Sequence, residues 1–370
     1  MFLHSVFPSQ QFSSEHFFTV IPAPGKSFLE EAENLLAEYD SAIAVSGCSE
    51  GSELLLRFHC SDIVNQAGPL KKLIAGRRSF VSMVGQPPAE GSRIVLEAWH
   101  ILPMKKCRIN DHAVRFEFQN YRFLLFEGSD SDVTGSYDQT AREFAELKSC
   151  LSRLGGKVAD HTIRTWLYCR DVDNNYAGLV NARNLFFDSI GLTSQTHFIA
   201  STGIEGLSAK PDRLVTMDSL SCPELKREQF FYLSAPEMLS PTAIYNVRFE
   251  RGTRVIFGDR SQYYISGTAS IDKFGKVLYP DDVRAQTQRA LDNIQALLQA
   301  GGAELSELKQ ATVYMRDIAD ASIIREEVEK RLPAGIPMVL LKAPVCRPAW
   351  LVEIESIAVN GSGGDFPPLI

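Results

Sequence analysis

Glu353 and Glu355 sit in Trp350-Leu351-Val352-Glu353-Ile354-Glu355-Ser356-Ile357, a stretch whose alternation reads as a β-strand. With a period of two, Leu351, Glu353 and Glu355 share one face, and Trp350, Val352 and Ile354 the other. Glu is almost never buried without a partner, so a solvated face is the plain alternative. The neighbourhood argues for more, because Cys346, Arg347 and Trp350 lie within the seven residues before Glu353. A carboxyl group enclosed by apolar neighbours has its pKa raised and can deliver a proton near neutral pH. The segment outlines a pocket holding an acid, a thiol and a guanidinium.

The elements that must position these groups repeat along the chain. Tyr121 to Phe126 reads as a strand, about 137–154 as a helix ended by Gly155-Gly156, Arg164 to Val172 as a strand and about 176–187 as a second helix. The same order returns in Tyr263 to Gly267, Val283 to Ala300 before Gly301-Gly302, Ala311 to Ile318, and Ser322 to Leu332. Gly155-Gly156 and Arg170-Asp171 recur as Gly301-Gly302 and Arg316-Asp317, each 146 residues on (301 − 155, 316 − 170). Arg164, Trp166, Tyr168 and Arg170 share one side of the first repeat's strand, and Gln310, Thr312, Tyr314 and Arg316 share that side of the second. The opposite, apolar side suits helix packing; the Tyr- and Arg-rich side suits an interface or a cleft. Residues 1–120 give a weaker pattern, with a helix over 28–39 and strands at Leu54 to Phe58, Ile94 to Trp99 and Arg115 to Phe118.

At 370 residues with a formal net charge of −7, the chain suits one large or two to three small globular domains and argues against nucleic acid or an anionic membrane as partner. Seven scattered cysteines without CxxC or Cys/His ligand spacing exclude a disulfide framework and a structural zinc site. No apolar run approaches the ~18 residues of a membrane span, and Met1-Phe2-Leu3-His4-Ser5 shows no basic stretch followed by a sustained apolar run, so a cytoplasmic protein is expected.

From Ser266-Gly267-Thr268 through Asn293-Ile294 and Val313-Tyr314-Met315-Arg316-Asp317 to Val352 through Val359, the second copy resembles the Rid (YjgF-type) family of small trimeric imine deaminases. The Rid pattern places a substrate-holding Arg in the strand after the second helix. Ile336 to Leu341 and Thr196 to Ile199 have none there. A broader resemblance, over roughly residues 120–360, is to the chorismatases, which carry tandem Rid-like units and split the enolpyruvyl ether of chorismate. Its residues are Arg164-x-Trp166-x-Tyr168, Arg183 in Asn181 to Phe187, Ala200 to Ile204, Ser266-Gly267-Thr268-Ala269-Ser270-Ile271, and Cys346-Arg347 with Glu353. Where chorismatases usually follow this last SGTAS strand with Gly-His, the chain has Asp272-Lys273-Phe274-Gly275-Lys276.

The resemblance implies an α+β fold of tandem Rid/YjgF-like (chorismate-mutase-like) units, with mixed sheets and outer helices forming an internal pseudo-trimer. Its parts would be 121–235, 236–370 with the catalytic strand, and 1–120 as a decayed third unit. It also implies a cofactor-free, metal-free enzyme that converts chorismate to 3-hydroxybenzoate, or a related hydroxybenzoate or dihydrodiol, and pyruvate. Glu353 would be the acid and Glu355 a structural partner. Arg164, Arg183 and Arg347 would hold the two substrate carboxylates, with Tyr168, Gly267 and Ala269 also lining the site. An isolated cysteine is ordinarily a small buried hydrophobe; the resemblance instead makes Cys346 the residue that selects the hydroxybenzoate over the dihydrodiol. Surface or interface ion pairs are the alternative for each Arg. The chain is expected to act as a monomer or weak homo-oligomer. Competing readings are a Rid-like 2-imino acid deaminase and a non-catalytic metabolite-binding scaffold.

Overall fold

The N-terminal helix begins where Ser27 accepts a hydrogen bond from the Glu30 amide while the Glu30 side chain reaches back to the Ser27 backbone, a capping box that the weak helical pattern of this region had not revealed. The computed structural model describes residues 1–8, 14–129 and 132–370. Strands β1 (Phe2–Pro8) and β2 (Ser14–Val20) lead into α1 (Phe28–Val45), β3 (Glu53–Cys60), α2 (Ile63–Leu73), β4 (Phe80–Gly85) and β5 (Ile94–Leu102). They form a sheet in the order β1-β2-β5-β3-β4.

A second set follows: β6 (Lys105–Asn110), β7 (Ala113–Glu117), β8 (Arg122–Glu127), α3 (Ser136–Arg153), the single turn α4 (Val158–His161), β9 (Thr162–Cys169), α5 (Val172–Ser189), β10 (Ala200–Glu205) and β11 (Val215–Ser221). A third comprises β12 (Phe230–Tyr232), β13 (Gly252–Ile256), β14 (Ser261–Ala269), α6 (Val283–Ala300), β15 (Leu308–Met315), α7 (Ala321–Glu329), β16 (Met338–Lys342) and β17 (Val352–Asn360). Their sheets run β10-β9-β11-β8-β7-β6 and β12-β13-β14-β17-β15-β16. Apart from the added edge strands β6 and β12, all three sheets have one topology. The N-terminal region is thus a full third unit. Because β6 pairs with β7, its junction with the second unit falls near residue 103, ahead of the 120 that the repeat and the resemblance implied.

The central strands set the registers between units. β3 and β9 are offset by 109 residues (162 − 53, 169 − 60), and β9 and β15 by 146 (308 − 162, 315 − 169). On β9, Leu167 and Cys169 face the helices in one apolar cluster, whereas Trp166 and Tyr168 belong to the central core between the sheets. Fully buried side chains there each contribute roughly 1.5–3 kcal/mol relative to exposure.

Two further sets of contacts close the three units into a ring. Single β-bridges join Gly85 to Leu207, Ile204 to Val345 and Leu341 to Pro88, so each unit reaches the next and the third returns to the first. Equivalent carboxylates on β5, β11 and β17 do the same: Asp218 accepts from Arg57 and Ser82, Glu355 from Arg164 and Trp166, and Glu97 from Gln310 and Thr312. Such pairs lie in a low dielectric, where removing one partner leaves a costly uncompensated charge.

Candidate active site

Glu353 lies opposite Ala269 of β14 on one side and Tyr314 of β15 on the other, on the face of β17 turned towards the second unit. The pairing of β14 with β17 shifts register between Ile265 and Thr268, and Gly267 falls in that break. A Cβ at Gly267 would stand 2.0 Å from Glu353 Oε1, so the absence of a side chain is what lets the carboxyl group lie against β14.

Helix α5 faces it from the second unit. Its residues Tyr176 and Arg183, two turns apart, share one side of the helix and line the same cavity as Ser201 and Gly203 of β10. Arg251, Ile271 and the loop from Cys346 to Trp350 complete the lining, around a free volume of about 40 Å³. Pockets that take drug-sized ligands measure roughly 300–1,000 Å³. A ring-sized substrate therefore enters only as the side chains over the cavity move.

Burial pushes the Glu353 carboxyl up to about 8, helped by the nearby charge of Glu355 and opposed by Arg251 and Arg164. Neither Glu353 oxygen receives a hydrogen bond among the described residues, which leaves a neutral acid facing the cavity at neutral pH. Arg183 is 1% exposed, and its Nε and Nη2 have no hydrogen-bond partner among the described residues. Its guanidinium lies 5.9 Å from the Phe249 ring, a weak substitute for an anion. Arg251 Nε and Nη2 donate to the Ser240 carbonyl, and its guanidinium also lies over Phe249, at 5.4 Å.

The Cys346 thiol is pushed up to about 12, first by burial and then by Glu353, against the pull of the Tyr176 hydroxyl, Arg347 and Arg183. It is a thiol at neutral pH and a poor nucleophile. Arg347 stacks over Trp350 at 4.9 Å, and Trp350 Nε1 donates to the Ser270 carbonyl at 3.0 Å. Trp350 was expected on the face opposite Glu353. Regular strand begins only at Val352, and the preceding loop turns the indole to the Glu353 side.

Glu353, Cys346, Arg183, Arg347, Gly267 and Ala269 thus come together in one cavity. Arg164 and Tyr168 do not line it. They point from β9 towards the centre of the ring, because β9 alternates and Trp166 between them is held there by Glu355. Arg164 donates to Glu355 at 2.7 Å, to Thr202 Oγ1 at 2.7 Å and to the Ile265 carbonyl at 2.9 Å. Thr202 Oγ1 in turn accepts from the Gly267 amide at 2.9 Å, so Arg164 stands behind the cavity and braces its wall. The expected ion-paired role of Glu355 coincides with this geometry. Tyr176, Ser201 and Arg251 were missed. Tyr176 and Arg183 are seven residues apart in one helix, and that spacing was the available signal.

Comparison with known proteins adds three findings. A family model described as Endoribonuclease L-PSP matches residues 253–360, within the third unit. The RutC family protein UK114 of Drosophila melanogaster is 31% identical over 134 residues, covering 35% of this chain and 89% of that protein. A crystal structure of chorismatase superposes with a TM-score of 0.66 at 20% sequence identity, covering 83% of this chain and 93% of that one. The fold is therefore the tandem Rid-like arrangement found in that chorismatase structure. By its sequence match to UK114, the chain belongs to the RutC (Rid/YjgF) family.

Proposed function

We propose that the protein cleaves the enolpyruvyl ether of chorismate, with Glu353 as the acid and release of pyruvate. The observation that carries this reading is the pairing, across one cavity, of a buried neutral carboxyl group with a buried guanidinium two of whose nitrogens have no partner among the described residues. A buried cation is costly unless compensated, and an anionic ligand would supply the missing charge. The likeness in fold to chorismatase supports the same assignment.

In this mechanism Arg183 and Arg347 hold the substrate carboxylates by charge-assisted hydrogen bonds. Glu353 transfers its proton to the enolpyruvyl methylene, forming a methyl group and an oxocarbenium centre. The resulting carboxylate lies beside the cation it has made, and Arg251 and Arg164 stabilise it. Addition of water gives a hemiketal that collapses to pyruvate and a ring diol. Alternatively the neighbouring ring hydroxyl attacks the ring carbon that bears the ether: its oxygen bonds to that carbon and loses its proton as the carbon–ether bond breaks and releases pyruvate. The arene oxide so formed opens and loses its ring proton to give the isomeric 3-hydroxybenzoate, which is the diol less one water. Cys346, adjoining Glu353 and Tyr176, fills the space in which that water would stand, and so favours the second route.

The test is incubation of the purified protein with chorismate, with pyruvate followed by coupled reduction and the ring product by chromatography. Stoichiometric pyruvate and 3-hydroxybenzoate are expected, and Glu353→Gln should lower the rate by about 10²–10⁴-fold, the usual range for a general acid. Unchanged turnover in that variant would sink the assignment of the acid. Ammonia release from a 2-imino acid without pyruvate from chorismate would replace the reaction with that of a Rid-type deaminase.

A further inference from the structure

The ring has a cleft between its first and second units that matches the Glu353 cleft position by position. The β3–β9 offset of 109 aligns Ala67 with Tyr176 and Ile74 with Arg183 (176 − 109, 183 − 109). Strand pairing aligns Val81 with Ser201, since these face Leu56 and Thr165, which the same offset relates; Met83 then matches Gly203. Across the cleft, the Arg170 amide donates to the Leu214 carbonyl as the Arg316 amide donates to that of Leu351. Leu214 and Leu351 are therefore equivalent, and Ala209, Lys210 and Arg213 take the places of Cys346, Arg347 and Trp350. Thr216, opposite Tyr168, takes the place of Glu353, opposite Tyr314.

The substitutions alter the chemistry, and Ile74 where the other cleft has Arg183 removes one cation from the helix side. The acid and the thiol are gone, whereas the cation of Arg347 persists as Lys210 and a second appears as Arg213. The free volume is about 450 Å³ against about 40 Å³ in the Glu353 cleft. Its floor is apolar, from Ala67, Ile74, Val81 and Met83. Its rim carries Lys71 and Arg108, both exposed, beside Lys210. His112 Nδ1 is buried in the same wall without a hydrogen-bond partner among the described residues. Asp111 and Glu127 are the acidic side chains in the lining. Arg213 is partly engaged by Glu143 at 2.9 Å and the Gly128 carbonyl at 2.6 Å, and Arg77 by Glu53 and Asp40. In a chain of net charge −7, this is a cationic rim over an apolar floor.

We propose that this cleft is a second binding site, for a small ring carboxylate that is held and released unchanged. The apolar floor takes the ring, and the rim cations together with His112 take the carboxylate. With Thr216 where the other cleft has Glu353, no carboxylic acid is placed to protonate the ligand.

Met83 provides a reporter inside the cleft. The chain has seven methionines, so ¹³C-methyl-methionine labelling of the intact protein gives few resonances, and Met83→Leu assigns the one required. Titration with benzene-1,3-dicarboxylate is expected to shift the Met83 signal saturably. Arg108→Glu combined with Lys210→Glu should weaken that response at least tenfold while the remaining methionine signals keep their positions, which shows the fold intact. A Met83 signal unmoved at 10 mM ligand, or a shift that survives the charge reversal, would overturn the site. An equal response to inorganic phosphate would overturn the assignment to a ring carboxylate.

Discussion

Glu353 and Glu355 occupy the same face of β17 two residues apart, yet Glu355 accepts hydrogen bonds from Arg164 at 2.7 Å and Trp166 at 2.9 Å while Glu353 faces the cavity with its carboxyl raised to about 8. The difference comes from the partner surface. Glu355 meets cationic and indole donors of β9, and Glu353 meets α5 across a space left for ligand. One carboxylate is occupied by donors and serves as structure; its neighbour is held protonated.

The pH dependence of both activity and stability follows from that. Glu353 should act as an acid below pH 8, and kcat should fall as pH rises through about 8. The folded state binds this proton more tightly than the unfolded chain, whose carboxyl titrates near 4.5. The group therefore costs no stability below 4.5, and its destabilisation grows as pH rises from there to about 8. Glu353→Gln should remove this dependence and raise stability at pH 8 by on the order of 1–3 kcal/mol. Urea unfolding of both proteins at pH 5 and pH 8 checks it; a variant less stable at pH 8 would contradict the assigned proton.

Arg183 and Arg164 should separate function from support. Arg183→Met removes a buried charge that lacks full compensation, so stability should hold or rise while kcat/KM falls roughly 10²-fold or more. Arg164→Met strands Glu355, and a loss of about 3–5 kcal/mol is expected. Thermal unfolding and steady-state kinetics on the two variants give the comparison. Equal destabilisation by both would show that Arg183 is also a structural cation.

Cys346 should be slow to alkylate. Its proton is retained to about 12, whereas Cys107 is exposed on β6. Iodoacetamide at about pH 9, where Glu353 is ionised, followed by peptide mapping should label Cys107 first, and Glu353→Gln should speed Cys346 by removing a negative neighbour. Cys346→Ala should shift the ring product towards the diol; an unaltered product ratio would take from the thiol its part in choosing the product.

Gly267→Ala should reduce activity by displacing the acid, since the new methyl would overlap the position of Glu353 Oε1. A crystal structure of the variant is expected to show the carboxyl group turned away from β14. Full activity with the carboxyl group unmoved would mean that the β14 backbone yields instead.

Legibility in the sequence followed regularity. Val283–Ala300 was readable to the residue because its apolar face is uninterrupted and Gly301-Gly302 follows it. The strand of Glu353 was recognisable from alternation alone. Helix α2 escaped because Gly68 and Pro69 interrupt its pattern, even though Leu70, Ala67 and Ile63 are buried on one side. The first unit hid its kinship because only fragments of the repeat anchors survive there: Gly47 in a left-handed turn after α1, and Ser61-Asp62 where the later units have Arg-Asp. Arg164 and Arg183 could not be told apart by type or spacing. Their difference depends on Glu355, 191 residues from Arg164, and on which way β9 and α5 turn once the ring closes.

The bridges from Gly85 to Leu207, Ile204 to Val345 and Leu341 to Pro88 have a kinetic consequence. Separate protomers assemble at a rate and to an extent set by their concentration, and a site shared between two of them disappears on dilution. Here both walls of the Glu353 cavity are covalently tethered, so its completion is a first-order event. Specific activity should therefore stay constant down to nanomolar protein.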